Sequence, residues 1–315
     1  MSTQIDTAVE PDVKQRVREF YDQVGWQEVS EGLYQNARYE DLRPVARDYI
    51  HRCHFRVARW LERKGKLLLD AGSGPIQYPE YLEYSRGYHA RVCVDISRVA
   101  LLEARQRIGD RQNGGHGLFV VADIARLPFS PRAFDSVVSL HTIHHLPDSE
   151  HFQAYSEMYR VLSPDRTAVV VNGWDDPPLM RWFDGPIRWA NRIRWYNRRV
   201  RGSPAELQAL AENEKKTGSG RIESSGSKGT FVQKKNAGWL KAEVGARIPL
   251  QILVWRSVSV RFMRALIHPR LGGKFLLGLL FWLEERFPRF FGKYGQYPLI
   301  IIRKPGKTEQ KHGLE

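Results

Sequence analysis

Sulfur is scarce in this sequence. Only two cysteines, Cys53 and Cys93, occur in 315 residues. They cannot build a disulfide framework, and no CxxC spacing offers a metal site. A reducing cytosol is therefore the expected setting. Long apolar runs are also missing. The longest, FLLGLLFWL over 275–283, falls well short of the roughly 20 residues that span a bilayer. The opening stretch, MSTQIDTAVEPDVKQ, is polar and has no signal-peptide core. Acidic residues are in deficit: 35 Asp and Glu face 49 Lys and Arg, a net charge of +14. That excess admits nucleic acid, an anionic membrane or an acidic substrate as partner, and selects none of them. No internal repeat is visible.

What is present is a chain long enough for one large domain or two small ones, with an ordinary apolar fraction of 42%. The first sixty residues read as helical. DVKQRVREFYDQVGW places Val13, Val17, Phe20 and Tyr21 at near-helical spacing. RPVARDYIHRCHFRVARWLERKGK repeats the pattern, with Pro44 suited to a first turn and a stop at Gly65. From Lys66 to about Gly173, short apolar runs (KLLLDA, ARVCVDI, GLFVVADI, FDSVVSLH, TAVVVNG) alternate with longer stretches. Two of those stretches, SRVALLEARQRI and SEHFQAYSEMYRVL, are helix-like. This βαβ rhythm predicts an α/β fold, a parallel sheet with helices on both faces. Each run is apolar throughout, as strands buried on both faces require.

Beyond Gly173 the rhythm breaks. Residues 174–213 are rich in Trp and Arg. EKKTGSGRIESSGSKGT reads as a mobile linker. FVQKKNAGWLKAEVG reads as a helix ending near Gly245, PLQILVWRSVSV as a strand and YPLIIIRKP as a final strand after an apolar helical segment. The expected division is an N-terminal helical cap over 1–65, a nucleotide-binding core over 66–173 and a basic aromatic insert with linker over 174–230. The rest of the core follows over 231–305, with a helical insert at about 259–295, and then a frayed tail over 306–315.

LLLDAGSGP supplies the first candidate site. The run Leu67 to Leu69 is a strand with Asp70 at its carboxyl end. Gly72 and Gly74 let the backbone turn tightly and approach a ligand. A helix starting there would offer N–H groups to an anionic group. About twenty residues on, VCVDIS places Asp95 at the next strand end, where a carboxylate accepts from both hydroxyls of a ribose. The dinucleotide fingerprint wants GxGxxG, and Gln77 holds the third position, which argues against NAD. Asp123, at the end of a third strand, is placed to accept from an adenine amino group. Phe134-Asp135 opens a fourth strand, and HTIHHL follows it at the carboxyl edge.

Together LLLDAGSGP, VCVDIS, VVADIARLPF, FDSVVSLHTIHHL and YRVLSP resemble the class I S-adenosylmethionine-dependent methyltransferases. The likeness is to the type 11-like group that contains the ubiquinone/menaquinone-type C-methyltransferases. It covers residues 66–173 well and extends weakly to the N-terminal FYDQVGW and to the final strands. It implies a Rossmann-like, doubly wound sheet of seven strands, mostly parallel with an antiparallel last strand, binding S-adenosyl-L-methionine. It further implies that Asp70, Gly72, Ser73 and Gly74 surround the methionine part of the cofactor, and that Asp95 holds the ribose. Ile96, Asp123 and Ile124 would contact adenine, and His141 would sit beside the methyl-donor end. Two positions depart from the family pattern. Ile76 replaces the last glycine of GxGxG, which narrows the space near the cofactor tail, and SPDR (163–166) replaces KPGG.

Methyl transfer from a sulfonium needs alignment and exclusion of water. It needs a base only when the acceptor must lose a proton. His141, His144 and His145 are the candidates. In an extended stretch His144 and His145 point to opposite sides, so at most one faces the acceptor, and His144 is favoured. Strand capping or pocket lining is the competing role, and a zinc site lacks a further ligand nearby. Tyr21 and Trp26, in FYDQVGW, are lid candidates over the cofactor, against a simple aromatic anchor.

MRWFDGPIRWANRIRWYNRRVRG admits three readings: an Arg-rich lid with tryptophans packed on the core, an interfacial helix on anionic lipid, or an RNA clamp. The later segment LGGKFLLGLLFWLEERFPRFFGKYG weighs lipid over RNA. The expected activity is methyl transfer to an O or C atom of a small or lipophilic acceptor, presented at the inner face of a membrane. The rivals are an RNA methyltransferase, a non-catalytic cofactor-binding regulator and, distantly, an NAD-linked oxidoreductase.

Overall fold

The computed structural model describes residues 10–26, 28–30, 33–34, 40–109, 116–201 and 230–306. The apolar runs become strands: β1 (Gly65–Ala71), β2 (Tyr88–Asp95), β3 (His116–Val121), β4 (Phe134–Leu140), β5 (Leu162–Val171), β6 (Leu250–Arg256) and β7 (Tyr297–Arg303). They form one sheet in the order β3-β2-β1-β4-β5-β7-β6. β7 runs antiparallel to both its neighbours, and the other pairings are parallel. The strand order reverses between β1 and β4, so the crevice for a ligand opens above their carboxyl ends.

Alternation along the strands divides the core into two layers. Leu68, Cys93, Val138, Val169 and Ile301 face one side, against Ile50, Cys53 and Val57 of α2 (Pro44–Ala58). Leu69, Val94, Val137, Val170 and Ile300 face the other, against Ala154, Met158 and Val161 of α5 (His151–Val161). Each such side chain contributes about 1.5–3 kcal/mol on burial. α1 is Glu10–Phe20, followed by a π-turn over Tyr21–Gly25; α3 is Pro79–Glu83 and α4 is Arg98–Gly109. α6 spans Pro178–Arg201, α7 Val260–Leu266, α8 Gly273–Arg286 and α9 Pro288–Tyr294.

Several expectations are corrected. α2 ends at Ala58, and Gly65 opens β1 rather than closing a helix. Burial of every run on both faces fails at β3, because it is the sheet edge and leaves Leu118 and Val121 exposed. In FVQKKNAGWLKAEVG the helix begins only at Ala237, where the Asn236 side chain accepts from the Trp239 amide at 2.9 Å and caps it. Residues 230–236 are non-helical. The Trp/Arg segment is one continuous helix, α6, with Pro186 inside it. Its Trp182 and Trp189 are 75% and 68% exposed, so they are not packed on the core. The expected linker and tail lie, apart from Thr230 and Gly306, outside the described residues.

Candidate active site

A cavity of about 440 Å³ opens above the carboxyl ends of β1, β2 and β4. It brings together nearly every residue singled out from sequence: Asp70, Gly72, Ser73, Gly74, Asp95, Ile96, Asp123, Ile124, His141, His144, Tyr21 and Trp26 all line it. His145 lines it too.

The glycine turn is built for close approach. Gly72 has φ +79°, and a Cβ there would lie 2.2 Å from Thr142 Cγ2, so glycine is what lets this loop pass the turn after β4. Thr142 Oγ1 donates to the Gly72 carbonyl oxygen at 3.1 Å. Gly74 has φ +53°, and a Cβ there would sit 3.1 Å from the Trp26 ring. No long helix starts at the glycines. The chain stays a loop to Tyr78 and then forms only the five-residue α3, so the expected helix-end contribution to anion binding is absent. Ile76 takes the left-handed conformation itself, with φ 56°, and its side chain is fully buried in the core away from the cavity. The expected narrowing near the cofactor tail therefore does not occur. Asp165 performs the same service in SPDR, with φ 58°; a short polar side chain tolerates that region.

Two of the three carboxylates face partners that the sequence reading did not foresee. Asp70 is buried and paired with Arg91, whose Nε lies 3.0 Å away and whose Nη1 donates to the Tyr81 carbonyl at 2.5 Å. Asp95 accepts from the Gly74 and Ser97 amides at 2.9 and 2.8 Å, yet burial pushes its carboxyl up to about 6. Asp123 accepts from the Ala125 amide at 2.8 Å and pairs with Lys14 of α1 at 2.5 Å, and Lys14 also pairs with Glu150. A second tie, Ser97 Oγ to Asp22 at 2.5 Å, fixes the turn after α1 to the end of β2.

The histidines sit on a turn, not on an extended strand. His141 follows β4 with φ 56°, and Ile143–His145 is a 3-10 turn. The turn abolishes the alternation that would send His144 and His145 to opposite sides, and all three line the cavity. Burial holds all three imidazoles neutral: His141 is lowered to about 3, His145 to about 4, and His144 well below its ordinary value. His145 Nδ1 lies 2.7 Å from the Phe231 carbonyl oxygen, so it carries the proton, and its Nε2 accepts from Tyr21 Oη at 2.8 Å. His144 Nδ1 lies 3.1 Å from Asn172 Oδ1, which leaves the Nε2 lone pair of His144 unused.

Sequence reasoning missed Glu40, Tyr78, Thr230, Lys234, Arg256 and Tyr297, which line the same cavity. Arg256 is buried at the end of β6 and paired with Glu40. A lone arginine inside an apolar strand run, as in ARVCVDI and ILVWRS, was the available signal for Arg91 and Arg256. Among the described residues no His, Cys, Asp and Glu cluster is arranged to hold a metal ion.

The strand order, the glycine turn and the carboxylates at successive strand ends are those of the class I S-adenosylmethionine-dependent methyltransferase fold. Residues 69–170 match the methyltransferase domain family. The chain is 34% identical over 127 residues to the ubiquinone/menaquinone biosynthesis C-methyltransferase UbiE of Cereibacter sphaeroides, covering 39% of this chain and 49% of that one. It is 30% identical over 129 residues to a probable tRNA methyltransferase 9B of Mus musculus, covering 40% and 26%. The chain thus spans about half the length, or less, of these curated relatives. A phosphoethanolamine N-methyltransferase of Haemonchus contortus, solved with phosphoethanolamine and S-adenosylhomocysteine, shares the fold at TM-score 0.53 and 10% identity, over 95% of this chain and 49% of that one. S-adenosyl-L-methionine is the cofactor of the class, and the glycine cradle at Gly72 and Gly74 with the Asp95 carboxylate beside it fits that molecule.

Proposed function

We propose that the protein transfers a methyl group from S-adenosyl-L-methionine to an O or C atom of a small, lipophilic acceptor. The observation that carries this reading is that one cavity joins the glycine turn, Asp95 and Asp123 to three neutral histidines. When bound, the cofactor supplies an electrophilic methyl group on a sulfonium. Gly72, Ser73 and Gly74 admit its methionine part, Asp95 accepts from its ribose hydroxyls, and Ile96, Asp123 and Ile124 line the place of its adenine. His141 borders its reactive end. Tyr21 and Trp26 cover the glycine turn and exclude water. His144 takes the acceptor's proton where one must leave, because its Nε2 lone pair is unused while both nitrogens of His145 are engaged.

The acceptor is drawn from an anionic membrane surface, with the protein held peripherally at its cytoplasmic face. Exposed tryptophans of α6 and exposed aromatics of α8 support this, together with the net charge of +14. Among the described residues no helix is long and apolar enough to cross a membrane. A second reading, RNA as acceptor, is favoured by the same charge and by the likeness to a probable tRNA methyltransferase. It requires tight RNA binding that weakens steeply with salt.

Incubation of metabolite, lipid and RNA extracts with methyl-labelled cofactor tests the proposal. Label is expected in a lipid-soluble product with matching release of S-adenosylhomocysteine. Label confined to RNA moves the acceptor to the second reading. Cofactor binding without any labelled product leaves a non-catalytic binding protein.

A further inference from the structure

The wall of the cavity beside the histidine turn carries a positive charge that no described residue pairs with. Lys234 lies on the non-helical segment 230–236, which is pinned beside the histidine turn by the Gln233 amide donating to the His144 carbonyl at 2.7 Å. Its ammonium rests against Gly173, where a Cβ would lie 3.4 Å from Nζ and 3.4 Å from the Tyr297 ring. Among the described residues it has no hydrogen-bond or ion-pair partner. Asp175 acts on it only through space. Arg256, on the same wall, has Glu40 as its counter-ion, so the two together leave one uncompensated charge. Thr230, which also lines the cavity, adds a buried hydroxyl with no partner among the described residues.

A half-buried ammonium facing a cavity, next to imidazoles held neutral, is costly unless a ligand supplies the missing anion. Aromatic rings flank it: the His141 and Tyr297 rings meet edge to face, with centroids 5.6 Å apart at 86°, and Tyr297 and Tyr78 both line the cavity. We infer that Lys234 anchors an acceptor subsite for a planar molecule bearing one anionic oxygen, a carboxylate or a phenolate, with Tyr297 against its ring. This rests on the methyl-transfer reading for the word acceptor, but the anion site itself is a property of the wall. It also gives a reason for a residue type that a merely apolar pocket would not keep there.

The test is calorimetric titration of the full chain, with and without S-adenosylhomocysteine. The probe pairs are 4-hydroxybenzoate against 4-hydroxybenzamide, and 4-nitrophenolate against 4-nitroanisole. One anion is expected to bind about tenfold or more tightly than its neutral counterpart, as a charge-assisted hydrogen bond requires. Whichever pair shows the preference identifies the oxygen as carboxylate or phenolate. Lys234→Met is expected to abolish that preference and Lys234→Arg to keep most of it, both with the melting temperature of the parent. Equal binding within both pairs, binding of no probe, or a preference that survives Lys234→Met overturns the inference. Failure of S-adenosylhomocysteine itself to bind counts against the methyl-transfer reading, and the titrations without it still decide the anion site.

Discussion

The Tyr21 hydroxyl donates to His145 Nε2 across 2.8 Å, and His145 in turn donates from Nδ1 to the Phe231 carbonyl oxygen. One imidazole thus links three segments far apart in the chain: the turn after α1, the HTIHHL turn and the segment 230–236. Tyr21 also stacks on Trp26 at 4.9 Å, and Trp26 lies against Gly74. The N-terminal segment is therefore tied over the glycine turn by both stacking and a hydrogen bond. Tyr21→Ala removes both and is expected to weaken S-adenosylmethionine binding about tenfold. Tyr21→Phe keeps the stack and loses about 1 kcal/mol, roughly a fivefold effect. Calorimetry reads both, and unchanged affinity in Tyr21→Ala removes the lid.

Asp95 gives cofactor binding a pH dependence with a definite sign. Its carboxyl is raised from an ordinary 3.8 to about 6 by burial, against the opposing pull of the Ser97 and Gly74 amides. A ribose donates hydroxyl hydrogens, so it is the ionised carboxylate that binds. Affinity is therefore full above pH 7 and falls as pH drops through 6, by about tenfold for each further unit. The histidines do not confuse this window, since burial lowers His141 to about 3 and His145 to about 4, and lowers His144 in the same direction. Calorimetric dissociation constants from pH 5 to 8 should show the slope in the parent. Asp95→Asn should bind weakly with a flat profile; a flat profile in the parent would mean that Asp95 does not hold the ribose.

The strands and the glycine-turn and carboxylate side of the cavity were legible in the sequence because they depend on local pattern. Apolar runs that end in Asp70, Asp95 and Asp123 announce strand ends whatever the rest of the chain does. The wall beyond the histidine turn was not legible. Lys234, Arg256, Glu40 and Tyr297 come from four separate segments, and only the closing of the sheet by β6 and β7 brings them to one wall. The histidine turn failed for a different reason. HTIHHL has no glycine or proline to announce a bend, and His141 enters the left-handed region because its neighbours hold it there. Its amide donates to the Val171 carbonyl at 2.7 Å.

Ile76 shows why a family pattern can mislead at a single position. It occupies the place of a glycine and adopts a glycine's φ of 56°, but it is fully buried. Ile76→Gly restores the family pattern and relieves about 1–2 kcal/mol of left-handed strain. It also removes a core side chain worth about 2–5 kcal/mol when truncated. The second effect is larger, so the variant should melt at lower temperature, by a net loss of about 2 kcal/mol. Cofactor affinity should stay within about twofold, because the side chain does not reach the cavity. A variant more stable than the parent would show that the strain outweighs the packing.

The exposed aromatics of α6 and α8 make the membrane reading quantitative. Trp182 and Trp189 are seven residues apart and so share one face of α6, with exposed Arg181, Arg188 and Arg192 on the same helix. α8 buries Leu277 and Phe281 in the core but leaves Phe275 and Trp282 74% and 59% exposed, with Lys274 and Arg286 beside them. Apolar side chains of this size gain about 1.5–3 kcal/mol each on leaving water. Flanking cations add attraction to anionic headgroups that salt weakens. Co-sedimentation with phosphatidylglycerol-containing vesicles is expected to deplete the protein from solution, and pure phosphatidylcholine vesicles to do so much less. Trp182→Ala with Trp189→Ala, and separately Phe275→Ala with Trp282→Ala, should each cut the bound fraction severalfold. Neither pair reaches the cavity, so S-adenosylhomocysteine affinity in those variants should be unchanged. If the parent protein pellets with neither lipid, the aromatics serve some other surface, and the acceptor must reach the site from solution.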